Sequence, residues 1–210
     1  MEKVEKRVFE VELANGETVK VSTRKPTNQE IEASDMEYSR AFTNALIAGL
    51  YPQETLIAIF REKGIWSEAK DDAIRAQTGL VSVIETSLEE AAAEKKNEIA
   101  EELKEERNKL FEMRQSRSSY LSHSAEAKAA NAQRDSTVAQ VTENAKGVRV
   151  WRSLEDFLRE TDSNLIFRAT YEYVTFENGL PSDFMSKLPE NQVATVEEKP
   201  ADGMITIEGA

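Results

Sequence analysis

Hydrophobic and polar residues alternate with a period of two near the start of the chain. Val8, Glu10 and Glu12 interleave with Phe9, Val11 and Leu13, and beyond a break Val19 and Val21 interleave with Lys20 and Ser22. Asn15-Gly16 lies between the runs and tolerates positive φ, so the pattern predicts a β-hairpin over residues 7–23. An isolated hairpin is barely stable in water, so its Phe9, Val11, Leu13 face must lean on another element, and the next helix is the nearest candidate. The period then changes. Lys25-Pro26 stops the strand, and Thr27 with Glu30 three residues later forms a capping box. Ile31, Tyr38, Phe42, Leu46 and Leu50 follow at helical spacing. Pro52 suits the start of a short second helix carrying Leu56, Ile57, Ile59 and Phe60, which Gly64 ends.

Ser67 opens a third helical pattern. Its apolar positions run Ile74, Val81, Ile84, Leu88 and Ala91, then Ile99, Leu103, Leu110 and Met113, in two frames that do not join. A stutter or weakly packed stretch is expected near Lys95. The polar, serine-rich residues 114–119 suggest a reversal, after which Tyr120, Leu121, Ala125, Ala129, Ala132, Val138 and Val141 line a helix returning on the first; one continuous rod is the rival arrangement. Large residues come back at Val150, Trp151, Leu154, Phe157 and Leu158, in a helix that Ser153 and Asp156 help to start. Phe167, Tyr171, Tyr173, Val174 and Phe176 follow in a segment that periodicity leaves open between helix and strand. Pro181 to Asp183 opens a short helix with Phe184 and Leu188.

The expected fold class is therefore mainly α: a small N-terminal β-hairpin plus helices (residues 1–66), a long, charged antiparallel helical hairpin resembling a coiled coil (67–146), an aromatic C-terminal module packing near the first (147–189), and a flexible tail (190–210).

Composition narrows the function classes. Hydrophobic residues make up 40% and charged residues 31% of the 210 positions, with a formal charge of −12 and a pI near 4.8. Phosphate backbones and anionic lipids are repelled by such a surface, so neither nucleic acid nor membrane is expected as a partner. Cysteine is absent, which excludes disulfides and thiolate chemistry. No apolar run approaches signal-peptide or membrane-spanning length, so a cytoplasmic location is the expectation.

No catalytic constellation is legible. His123, the one histidine, has no identifiable orienting acid, and the Glu doublets read as solvated helix face. No P-loop, dinucleotide fingerprint or zinc spacing occurs. A non-enzymatic protein without cofactor or metal is the expectation, and another protein is the expected partner. Homo-oligomerisation through a coiled coil is the alternative.

The aromatic residues remain as candidate protein-binding positions: Trp66, Trp151, Phe157, Tyr171, Tyr173, Phe176 and Phe184. Trp66 and Trp151 flank the charged middle. Either they fill the cores of their own modules, or the helical hairpin returns them to one head with an exposed apolar patch.

The stretch KPTNQEIEASDMEYSRAFTNALIAGLYPQETLIAIFREKGIWSE, behind a small hairpin, resembles small acidic proteins encoded among tail and baseplate genes of tailed bacteriophages, some of them assembly chaperones. RATYEYVTFENGLPSDFMSKLPE is similar to their C-terminal segments. The resemblance covers about the first third of the chain and roughly 40 residues near its end. It implies a setting in virion assembly, inside the host cell or, for a structural component, in the particle, and it transfers no functional residue.

Overall fold

The computed structural model describes residues 5–188 and 191; the expected tail lies, apart from Asn191, outside them. Among the described residues the fold is mainly α with one small antiparallel sheet. Strands β1 (Lys6–Glu12) and β2 (Thr18–Arg24) form the expected hairpin, with Phe9 opposite Val21 and Val11 opposite Val19. Gly16 takes φ +81° in its turn. Helix α1 (Asn28–Ile47) starts on Thr27, and both bonds of the capping box form. Helix α2 (Gln53–Glu62) follows Pro52, and then come α3 (Glu68–Glu90), α4 (Ala93–Leu121) and α5 (Ala125–Val141). Strand β3 (Thr142–Asn144) joins the far side of β2, giving the order β1-β2-β3. Helices α6 (Leu154–Leu158) and α7 (Ser163–Glu177) and a 3-10 turn (Phe184–Lys187) follow.

The chain divides into two compact units. The first comprises residues 5–71 and Arg114–Ser182; the second comprises Asp72–Met113 with the described residues from Asp183 onward.

In the first unit the sheet face does not lean on the next helix. Phe9, Val11 and Val21 pack with Val138 and Val141 of α5, with Trp151 and Phe157, and with Leu165, Ala169 and Tyr173 of α7. The reason lies in α1, whose buried positions are small or polar (Glu30, Ser34, Ala45) and offer no large apolar face to a sheet. These positions suit close approach to α5 instead. Ser34 Oγ accepts from Thr137 Oγ1 at 2.9 Å and from Gln140 Nε2 at 3.0 Å, so the seam is closed by hydrogen bonds between buried side chains.

The helical hairpin is displaced from its expected place. Residues 114–119 are helix, and the chain reverses instead at Ala91-Ala92, between α3 and α4. Serine does not force a turn when its hydroxyl can bond back to the helix, as Ser119 Oγ does to the Ser116 carbonyl at 2.7 Å. The two apolar frames fail to join because the chain reverses between them, so no stutter is needed near Lys95. In the second unit Val81, Ile84 and Leu88 meet Ala100, Leu103 and Leu110, flanked by Gln77 Nε2 on Glu106 Oε2 at 2.6 Å and Arg107 on Glu85 at 2.6 Å. The helix expected to return on this pair, α5, packs on α1 instead.

The helix expected over residues 148–158 is confined to α6. Residues 148–150 are extended and bond back to β3, Asn144 N to Val148 O at 2.8 Å and Val150 N to Thr142 O at 3.0 Å. Ser153 caps α6 as the spacing predicts, accepting from Asp156 N at 3.1 Å.

Candidate protein-binding surface

The aromatic segment that periodicity left open is helix α7. Asp162 caps it, its Oδ1 accepting from Leu165 N at 3.0 Å while Oδ2 accepts from Ala14 N at 2.7 Å, so one carboxylate ties the helix start to the hairpin turn. These backbone donors hold the Asp162 carboxyl below its usual range. Leu165, Ala169, Tyr173 and Phe176 face inward. A second stripe faces outward: Phe167, Tyr171 and Val174, spaced four and three residues apart on one helix face. Phe167 is 71% exposed, and its ring stacks on Tyr171 with centroids 6.4 Å apart. The Arg168 guanidinium lies 5.7 Å from the Tyr171 ring centre.

A buried ion cluster fixes this helix. Glu172 is 0% exposed. Its Oε1 lies 2.7 Å from Arg168 Nη2 in an ion pair without hydrogen-bond geometry, its Oε2 lies 3.6 Å from Arg7 Nη1, and Ser182 Oγ donates to Oε2 at 2.9 Å. Arg7 also donates to Thr175 Oγ1 at 2.8 Å and to the Leu180 carbonyl, and it lies over the Phe176 ring. A buried carboxylate left without such partners would cost several kcal/mol, so strand β1, α7 and residues 180–182 are bound together. The stripe therefore sits on a rigid element.

Beside Val174 an open groove of about 310 Å³ runs between α1, α5 and α7. Ile31 and Ala130 supply apolar wall, and Asp35 accepts from Gln133 Nε2 at 2.6 Å across it. Tyr173 lines the groove with its phenol pushed up, first by burial and then by the Glu177 charge. It stays a neutral hydrogen-bonding group at any physiological pH.

A second ion cluster sits where the sheet meets α1. Arg24 donates to Glu30 through both terminal nitrogens at 2.8 Å and through Nε to Glu143 at 3.0 Å. Arg149 and Lys6 complete it, on Glu30 and Glu143 respectively. The Arg24 pair, with Thr27 donors, lowers the Glu30 carboxyl to about 2 against the cost of its burial. Burial pushes Glu143 up, but Lys6 and Arg24 outweigh it and hold that carboxyl below its usual range.

The sequence candidates fall into three groups. Trp151, Phe157, Tyr173 and Phe176 are buried, with Trp151 edge-on to Phe157 at 4.9 Å and its Nε1 donating to Glu160 at 3.2 Å. Trp66 is also buried, but in a separate cluster, stacked obliquely on Tyr120 at 5.7 Å beneath Lys70. Its indole N–H faces the Asp71 carboxylate, which Arg117 and Arg61 also hold, without reaching hydrogen-bond geometry. The two tryptophans thus fill two different clusters and do not form one exposed head. Tyr171 and Phe184 are half-exposed, and Phe184 belongs to the second unit.

Phe167 and Val174 are not among the sequence candidates, and their spacing of four and three from Tyr171 identifies them once the segment is known to be helical. His123 lies exposed in the turn before α5. Among the described residues no group of three or more His, Asp or Glu is placed to hold a metal ion, and no helix is long and apolar enough to cross a membrane. Comparison with protein-family models, curated proteins and solved structures finds no match for this chain.

Proposed function

We propose that this chain is a non-enzymatic protein-binding factor, acting as an assembly chaperone for a tail or baseplate component of a tailed bacteriophage. The observation that carries the binding role is the Phe167, Tyr171, Val174 stripe: two stacked aromatic rings left accessible on a helix whose other face is locked by Glu172. Exposed aromatic groups on a rigid support are what a protein partner covers at little entropic cost. The strong net negative charge keeps such a protein soluble while it displays them. The phage setting rests on the resemblance of residues 25–68 and 168–190, and the second of these stretches contains Tyr171 and Val174.

The test is co-expression of the tagged full chain with tail and baseplate gene products, followed by identification of what co-purifies by mass. One structural component is expected to be retained, and Phe167→Ser with Tyr171→Ser to cut its recovery by about tenfold or more, the scale of losing an aromatic anchor. Equal recovery by the double variant would remove the stripe from the account.

A second reading, a structural virion or scaffold component, is favoured by one feature of α3. Ala73, Ala76, Leu80, Val83 and Ser87 recur at steps of three and four on an exposed face, with Val83 64% exposed, as a helix does when it offers a seam to another helix. Stoichiometric presence in purified particles would select this reading over the first.

A further inference from the structure

We propose that the groove beside Val174 receives an arginine side chain of the partner, so that the segment this chain grips is both amphipathic and basic. Its apolar residues cover Phe167, Tyr171 and Val174, and its guanidinium enters between α1 and α7. The assignment rests on the reading of the α7 stripe as the binding surface and adds the chemistry of what binds there. Stripe and groove form one surface, because Val174 belongs to both and Ile31, 43% exposed, carries the apolar wall across to α1.

Charge is balanced at one end of this surface and not at the other. Beside Tyr171 the Arg168 cation is matched by Glu172. Within the groove Arg134 is matched by its neighbours, donating to Asp135 at 2.8 Å and to Asn131 at 3.1 Å. Asp35 on α1 and Glu177 at the end of α7 also line the groove, and among the described residues no ion pair reaches either carboxylate. The Gln133 amide that donates to Asp35 is neutral and leaves the charge uncancelled. No basic residue occupies the last turn of α7, so the negative end of the helix adds to Glu177. Tyr173 brings a phenol oxygen to the same groove, close enough to Glu177 to feel its charge.

This imbalance selects the occupant. A partner that covers Val174 strips water from the two carboxylates beside it, and a carboxylate that loses water without gaining a counter-charge is costly. An acidic or wholly apolar segment leaves both uncompensated, whereas a basic side chain compensates them. Arginine suits the site better than lysine, because its planar fork spreads five donors and the acceptors here come from two helices and a phenol. The groove, about 310 Å³, lies at the small end of ligand-enclosing pockets, a size for one side chain rather than for a length of backbone.

The test is an NMR titration of the full chain with N-acetylargininamide and, separately, with N-acetylcitrullinamide, its neutral isostere. Saturable shifts at Asp35, Gln133 and Glu177 are expected with the first probe and not with the second. Asp35→Asn with Glu177→Gln, both altered at exposed side chains, should weaken that binding by about tenfold or more and leave Tm near wild type. In the co-purification described above, Asp35→Lys with Glu177→Lys should cut recovery by about tenfold or more, and Glu62→Lys, an exposed charge at the end of α2, should not. Shifts that never saturate, an equal response to the citrulline probe, or a response that the Asn and Gln variant leaves unchanged overturns the proposal. Argininamide binding with recovery insensitive to the Lys variant would give the groove to a free small cation and overturn the assignment to the partner. The probe titration does not depend on the stripe: recovery lost from the α7 variant with no argininamide binding keeps the stripe and removes the groove.

Discussion

The two units are held together in different ways. In the first, a sheet face, α5 and α7 enclose one apolar core, and two ion clusters, around Glu30 and Glu172, close it where charged residues had to be buried. In the second, the helical pair has one apolar stripe between α3 and α4, with Leu103 fully buried at its centre. A core enclosed from several sides tolerates little change at any one of them, whereas a two-helix seam can open without an enclosing shell to resist it. The candidate binding stripe lies on the enclosed core of the first unit.

The largest expected effect falls on the enclosed core. Trp151→Ala should cost about 3–5 kcal/mol, read as a shift in the urea midpoint, because the ring packs edge-on to Phe157 and also carries the Glu160 hydrogen bond. Leu103→Ala should cost about 3 kcal/mol, confined to the seam between α3 and α4. Hydrogen exchange should show protection lost over residues 72–113 while the amides of β2 and α5 keep theirs, and uniform loss would make the two units one cooperative block.

Acid sharpens the role of the Glu30 cluster. The folded carboxyl titrates at about 2, below its unfolded value, so its contribution is complete above about pH 5 and is lost as pH falls toward 2. Screening at the exposed rim, where Arg149 sits, reduces that contribution to about 1–3 kcal/mol. Glu30→Gln should flatten the stability profile between pH 5 and 2 on the scale of that titration. A profile as steep as wild type would assign the acid sensitivity to other carboxylates. Thr27→Ala, which removes the cap hydroxyl and with it one donor to the Glu30 carboxylate, should cost about 1 kcal/mol in thermal unfolding.

The same contrast explains what was legible in the sequence. The capping box at Thr27 and Glu30 is a local code and forms as expected, but the further partners of Glu30 are not, since Arg149 lies 119 residues away. Strand β3 has only the residues Thr-Glu-Asn, with no alternation to betray it, and exists because β2 offers it backbone groups. The reversal at Ala91-Ala92 lacks glycine and proline, so the serines at 114–119 carried the stronger turn signal, although each can remain helical. Aromatic size is a signal that does not separate core from surface: Trp151, open in the sequence between core and exposed head, and Tyr173, a candidate binding position, are both buried. That same signal hid Phe167, whose exposure depends on which face α7 turns to the sheet.

The most direct test of the account compares partner recovery by three forms of the full chain: wild type, Phe167→Ser with Tyr171→Ser, and Leu80→Ser with Val83→Ser. If the rigid stripe on α7 is the gripping surface, the α7 variant loses the co-purifying component and the α3 variant keeps it. Loss from the α3 variant alone, with the α7 variant still loaded, would contradict the account and give the binding role to the helical pair.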